Sequence, residues 1–163
     1  MALQNKVSLY PSVAFAGQQV VPNKAVYHPL NLMSDGTVKV GIFAFTKTVD
    51  GVAMLSGTGE AAQSPVGIVE RVLDGTIITV TDEATETYPE GANVTVGVRG
   101  QFYIKATTAG TAGQKVLVDP TTGIISFADA AAGSAVDTGW VVLTSDGSAS
   151  FAADDLVIAQ NLG

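Results

Sequence analysis

The spacing of β-forming residues constrains this chain more than any other feature of its sequence. Short runs rich in Val, Ile, Thr, Phe and Tyr alternate with Gly, Pro, Asp and Asn, and helical periodicity is scarce. Such runs are typical of β-strands, because branched and aromatic side chains pack well on a pleated surface. We predict strands at 38–45, 66–72, 76–81, 93–98, 101–106, 115–119, 123–127, 140–144 and 156–161. Strands this short and this closely spaced predict an all-β, single-domain body of the barrel or sandwich type.

Turn-forming residues stand where the predicted strands break. Asp74 with Gly75, and Pro89 followed by Gly91, supply the residue types that tight turns need, since glycine adopts positive φ without strain. The sequence from Asp119 to Gly123 has the same character and separates two runs of β-formers. We therefore predict a β-hairpin over 115–127.

Two stretches differ from the rest of the chain. Residues 1–35 contain Pro11, Pro22 and Pro29, each lacking the backbone donor that a central strand requires. We predict that 1–35 is an extended N-terminal arm or edge segment and that 36–163 is the β-rich body. Residues 128–138 are mostly Ala, Gly, Ser and Asp, whose small side chains predict a surface loop.

Composition excludes several classes of protein. There is no cysteine, so neither disulfides nor thiolate metal sites can hold the fold. Fifteen acidic residues against eight Lys and Arg give a net charge of −7, which argues against a nucleic-acid partner. The apolar runs are shorter than the ~18 residues that span a bilayer, and we expect neither a membrane span nor an export signal.

The side chains that usually perform chemistry are sparse or badly placed. His28, the one histidine of the sequence, lies in the proline-spaced segment, where we interpret it as a surface or interface residue. Asp82, Glu83, Glu86 and Glu90 lack the spacing of a calcium loop and predict a solvated acidic loop. The glycine-rich stretches at 57–59 and 110–113 lack the Lys-Ser/Thr of a phosphate loop. We therefore predict no enzyme, no catalytic residues, no metal and no cofactor.

A succession of short motifs resembles the structural cement, or head decoration, proteins of tailed bacteriophages. No single motif is specific, but their order along most of the chain is similar to that family. The motifs are Ala14-Phe15-Ala16-Gly17-Gln18, Val40-Gly41-Ile42-Phe43-Ala44-Phe45, Ser56-Gly57-Thr58-Gly59, Pro65-Val66-Gly67-Ile68-Val69-Glu70-Arg71, Tyr88-Pro89-Glu90-Gly91, Val94-Thr95-Val96, Gly100-Gln101-Phe102-Tyr103-Ile104-Lys105, Gly113-Gln114-Lys115-Val116, Thr122-Gly123 and Gly139-Trp140.

The resemblance implies a barrel-like protein of the virion that binds the outer surface of the icosahedral head and stabilises contacts between major capsid subunits. It implies synthesis in the cytoplasm of the bacterial host. Its partners would be the major capsid protein and sister copies of itself, as a homodimer or homotrimer. We expect Val7, Leu9, Tyr10 and Pro11, which precede the recognisable body, to reach a capsid or sister subunit. An edge strand added to the chain's own barrel is the competing interpretation of this segment.

An alternative function is a carbohydrate- or receptor-binding β module of a phage tail spike or surface adhesin. That function would use exposed aromatic side chains, whereas a β core would bury them. Trp140, four Tyr and six Phe are available for either role. The sequence favours the core, because these residues are scattered through the predicted strands.

Overall fold

The computed structural model of the protein describes residues 14–21, 24–72 and 86–163, and these residues contain strands, turns and loops but no helix. The strands are β1 (Val26–Tyr27), β2 (Leu32–Ser34), β3 (Phe43–Val49), β4 (Val52–Ser56), β5 (Gly67–Val69), β6 (Asn93–Val94), β7 (Val96–Lys105), β8 (Gly110–Thr111), β9 (Lys115–Val118), β10 (Ile125–Ala128), β11 (Val136–Thr144), β12 (Ser150–Phe151) and β13 (Leu156–Asn161).

Most of these strands form one large sheet. Ten of its eleven strands follow the order β10-β9-β11-β13-β7-β5-β3-β4-β2-β6, and the eleventh, β1, pairs with β7 beside this path. β2 runs parallel to β4, whereas its pairing with β6 is antiparallel. β8 and β12 form a separate two-stranded sheet. The predicted all-β, single-domain fold is confirmed.

The large sheet buries apolar side chains on both of its faces. Phe43 and Phe45 of β3 point into a larger core, whereas Ala44 between them points into a smaller one. β5 divides in the same way, with Ile68 in the larger core and Val69 in the smaller one. Alternation along a strand places neighbouring side chains on opposite faces, so a stretch buried on both sides, such as 43–45 of β3, is apolar throughout. β3 and β5 therefore belong to both cores.

The sheet curves around the larger core until distant strands meet. Trp140 of β11 packs edge-on against Phe43 of β3, with ring centroids 6.2 Å apart, although three strands separate these two in the sheet. Near the rim, the Gly59 amide donates a hydrogen bond to the Pro120 carbonyl at 2.7 Å. This contact joins the loop after β4 to the β9–β10 turn. The body is barrel-like for this reason.

The described part of the N-terminal segment lies against the body. The Gly17 amide donates to the Tyr103 carbonyl at 2.7 Å, and the Tyr103 amide donates to the Gln18 carbonyl at 2.9 Å. Further along, β1 pairs with β7 and β2 pairs with β4 and β6. Residues 14–21 and 24–34 thus add backbone pairing to the sheet. The division of the chain at residue 35 stays a prediction.

Several predicted elements match the structure and others do not. β13 covers the predicted 156–161, and the hairpin is present as β9 paired antiparallel with β10. β4 was not predicted, and the two strands predicted at 93–98 and 101–106 are largely the single strand β7. Of the predicted loop 128–138, residues 129–135 lie between β10 and β11, but residue 128 belongs to β10 and residues 136–138 belong to β11. The predicted strand 76–81 lies outside the described residues.

Candidate functional site

Three neighbouring strands carry a second apolar surface on the outside of the sheet. Trp140 and Val142 of β11, Val157 and Ala159 of β13, and Phe102 and Ile104 of β7 fill the larger core. The residues between them therefore face outward. We name this surface the outer apolar face and define it by Tyr103, Val141, Leu143, Leu156 and Ile158.

The strand register places these outward residues beside one another. Leu143 lies opposite Ile158, and Ile158 lies opposite Tyr103 on the next strand. The adjacent row contains Val141, Gln160 and Gln101, and the Gln101 Nε2 donates to the Gln160 Oε1 at 2.6 Å. This hydrogen bond shows that the side chains of Gln101 and Gln160 lie on the same face of the sheet. Val141 is 37% exposed, so the face is open to solvent along β11.

A groove opens at one end of this face. Its cavity has a volume of about 680 Å³, and its apolar walls come from Ala14, Phe15, Ala16, Tyr103 and Leu156. We name it the terminal groove. Phe15 is 52% exposed, and the Arg71 guanidinium carbon lies 4.9 Å from the centre of its ring. This cation–π contact holds the aromatic ring at the rim while leaving much of its surface open to a partner.

Charged side chains surround the terminal groove. The Lys105 ammonium contacts the Asp154 carboxylate at 2.8 Å, and this hydrogen bond raises the pKa of Lys105. On another side, the Ser148 amide and hydroxyl both donate to Asp146 Oδ1, at 2.9 and 2.7 Å. These bonds lower the pKa of Asp146 and keep it ionised. Glu86 completes the lining of the groove.

A half-buried carboxylate ties the N-terminal segment to the body near this groove. Glu70 Oε1 accepts hydrogen bonds from Gln19 Nε2 and from the Tyr27 hydroxyl, both at 2.9 Å. Burial raises the pKa of Glu70, and the bond from Tyr27 opposes that rise in part. Burial, followed by the bond to Glu70, also raises the pKa of Tyr27. Gln19 and Tyr27 of the N-terminal segment thus share one acceptor, the carboxylate of Glu70, which follows β5 directly.

Some residues singled out from the sequence fall outside the part of the chain that the structure describes. Val7, Leu9, Tyr10 and Pro11 fall outside the described residues, as do Asp82 and Glu83 of the acidic set. Glu86 and Glu90 are exposed. His28 is half-buried, and its Nδ1 lies within 3.3 Å of the Leu30 amide in a local turn. Trp140 is 2% exposed in the larger core, as the core interpretation of the aromatics predicted.

The part of the chain that the structure describes contains neither a cluster of metal-ligating side chains nor a membrane-spanning helix. Over 14–21, 24–72 and 86–163, no three His, Asp or Glu side chains stand close enough to hold a metal ion. The same residues contain no helix long and apolar enough to cross a membrane.

The outer apolar face was not identified from the sequence. A signal for it exists in β13, where Leu156, Val157, Ile158 and Ala159 are apolar in succession. Such a run indicates a strand with two apolar faces, but it does not say which face is inside. The curvature of the sheet determines which face of β13 lies inside.

Comparison with known proteins agrees with this architecture. A solved chain from a structure titled "The capsid of Myoviridae Phage XM1" is similar in fold, with a TM-score of 0.59 at 16% sequence identity. The similarity covers 98% of this chain and 97% of that one. No curated protein sequence matches the chain. A family model described as "Structural cement protein (E217 gp24/Pam3 gp6)" matches residues 3–161, so the chain belongs to this family of structural cement proteins.

Proposed function

We propose that this protein binds the exterior of an assembled phage head and stabilises the contacts between major capsid subunits. Membership of the cement family over residues 3–161 carries the proposal, since it gives the chain a structural role in the capsid. The proposed role is adhesive and not enzymatic. We propose that the protein is made in the cytoplasm of the bacterial host and added to the outer surface of the finished head.

The outer apolar face supports this function on physical grounds. Apolar area removed from water contributes about 25 cal/mol per Å², and the partly exposed side chains of this face, aligned across three strands, offer such area to a partner. The face lies on the rigid strands β7, β11 and β13, so little conformational entropy is lost when it is covered. A net charge of −7 opposes binding to packaged DNA. We infer that the partners are proteins.

Stabilisation of the shell follows from binding alone. A cement subunit that binds only the assembled lattice lowers the free energy of the lattice by roughly 4 kcal/mol per site when the free subunit is present at ~1,000 times the dissociation constant. Association of sister copies into dimers or trimers at symmetry axes would strengthen each weak contact through effective concentration. We therefore propose a homo-oligomer. Val7, Leu9, Tyr10 and Pro11 remain our proposed contact residues toward the capsid or a sister copy.

The test is addition of purified protein to phage heads that lack it. We expect saturable binding to the heads and an increased temperature of head disruption, measured by sedimentation and by light scattering on heating. A variant lacking residues 2–12 tests the proposed contact of the N-terminal segment, and we expect its occupancy to fall. Full-length protein that leaves the heads bare at micromolar concentration would refute the function. Unchanged occupancy of the truncated variant would refute only the contact role of that segment.

A further inference from the structure

We propose that the terminal groove binds an extended segment of the capsid shell in which a large apolar side chain stands next to a lysine or arginine. The proposal rests on the function proposed above and names the surface and the partner chemistry. It comes from the shape, the lining and the charge of the groove.

The shape of the groove fits an extended chain better than a single side chain. The cavity of about 680 Å³ adjoins a second of about 210 Å³, with which it shares Ser145, Asp146 and Leu156. It also adjoins a third of about 240 Å³, with which it shares Ala16, Lys105 and Asp154 among others. The three cavities therefore neighbour one another along the surface. An extended segment presents alternate side chains to neighbouring cavities of this kind.

The lining of the groove suits a large apolar side chain. Phe15, Tyr103 and Leu156 offer aromatic and aliphatic surface, while Ala14 and Ala16 leave space between them. Arg71 covers one side of the Phe15 ring, and the ring is still 52% exposed. Covering that surface removes apolar area from water without unfolding any strand.

The charges around the groove favour a cation beside that apolar side chain. Glu86, Asp146 and Asp154 line the central cavity, and Asp155 lines the adjoining one. The basic side chains are Lys105, which is bonded to Asp154, Arg71, which is stacked on Phe15, and Lys39 in the third cavity. Carboxylates therefore outnumber basic side chains by one around the three cavities. Asp146 is exposed and held in place by Ser148, so it is a preorganised acceptor for a lysine or arginine.

The same charges favour the shell over a second copy of this chain. A sister copy has a net charge of −7 and would bring like charge toward a rim where carboxylates outnumber basic side chains. A shell segment with a basic residue gains the opposite interaction. Binding should therefore weaken as the salt concentration rises, because exposed charge pairs are screened over about 10 Å at 0.1 M salt.

Substitutions at the rim test the proposal against matched controls elsewhere on the surface. Asp146→Lys and Phe15→Ser should each raise the dissociation constant for undecorated heads about tenfold or more, as expected of a central contact. The controls are Asp129→Lys, which makes the same charge change in an exposed loop, and Leu162→Ser, which removes an exposed apolar side chain. Circular dichroism and melting temperature verify that each variant is folded.

The outcomes separate the groove from the function itself. If wild-type protein binds heads and both rim variants bind as well as their controls, the groove proposal is wrong while the function stands. Failure of the wild-type protein to bind would reject the function. A benzophenone amino acid placed at Phe15 identifies the occupant after illumination of decorated heads. Linkage to the shell protein supports the proposal, whereas linkage only to a sister copy or to residues 1–13 or 73–85 of the same chain overturns it.

Discussion

At the scale of single residues, Glu70 links the N-terminal segment to the body. Its carboxylate accepts two hydrogen bonds from that segment, at Gln19 and Tyr27, in a half-buried position. A charged carboxylate loses hydration there, and this loss raises the pKa of Glu70 above its ordinary value. The attachment is therefore sensitive to pH in a defined direction.

The sign of this sensitivity follows from proton linkage. Because the pKa of Glu70 is higher in the folded state, folding favours the protonated carboxyl. Its contribution to the free energy of unfolding is complete below the ordinary pKa of glutamate, about 4.3, and is lost as pH rises through the folded-state value.

Glu70→Gln removes this titration while keeping a side-chain oxygen for Gln19 and Tyr27. We expect the free energy of unfolding of Glu70→Gln, relative to wild type, to increase from about pH 4 to pH 7. Urea unfolding followed by Trp140 fluorescence at several pH values measures it. Glu90→Gln, at an exposed carboxylate, is the control. A difference between Glu70→Gln and wild type that stays constant with pH would contradict the linkage.

At the scale of elements, β11 shows how one strand serves two surfaces. Val142 is fully buried in the larger core, whereas its neighbour Val141 is 37% exposed on the outer apolar face. The two residues have the same side chain and differ only in the face to which they belong. They form a matched pair for testing which side of the sheet is inside.

Val142→Thr should destabilise the protein by about 1–3 kcal/mol, because it buries a hydroxyl in an apolar core. Val141→Thr has the same shape change at a partly exposed position and should cost less than about 0.5 kcal/mol. Chemical denaturation of both variants measures the difference. Equal losses at the two positions would mean that the outer face is covered, and a larger loss at Val141 would mean that the strand is turned the other way.

The elements also show what the sequence could predict. β13 was predicted at its full length because a carboxylate pair precedes an uninterrupted apolar run, and Asp154 does form the positive-φ turn before the strand. β7 was predicted as two strands, 93–98 and 101–106, and Gly100 lies between them. In the structure Gly100 has φ of 125° within the strand, where it pairs with Asn161 and lies against Ala25. Only the packed sheet reveals that close approach.

The site was harder to predict than the strands. β4 was overlooked because Ala53 and Met54 weaken its β-strand signal, although its pairing with β3 and β2 defines it in space. The outer apolar face joins side chains from β7, β11 and β13, and the terminal groove adds Phe15 and Arg71. These residues are far apart in the chain. Their proximity depends on long-range register, which no local pattern encodes.

At the scale of the whole molecule, the two cores share strands and should unfold together. β3 and β5 contribute Phe43 and Ile68 to the larger core, and Ala44 and Val69 to the smaller one. Because the cores share β3 and β5, unfolding of either core would remove strands that form part of the other. We therefore expect a single cooperative transition for the described body, as is usual for single domains of this size.

Leu55→Ala tests this coupling from the smaller core. Leu55 is 1% exposed there, and its truncation should lower the free energy of unfolding by about 2–5 kcal/mol through lost burial and a residual cavity. Trp140 lies in the larger core and reports on that core by fluorescence. If the cores are one unit, the Trp140 transition moves to lower denaturant together with the far-ultraviolet circular dichroism of the sheet. A Trp140 transition that stays at its wild-type midpoint while the circular dichroism shifts would show that the larger core folds independently. The shared strands would then be a boundary between two separate folding units, and binding at the outer apolar face would stabilise only the larger of them.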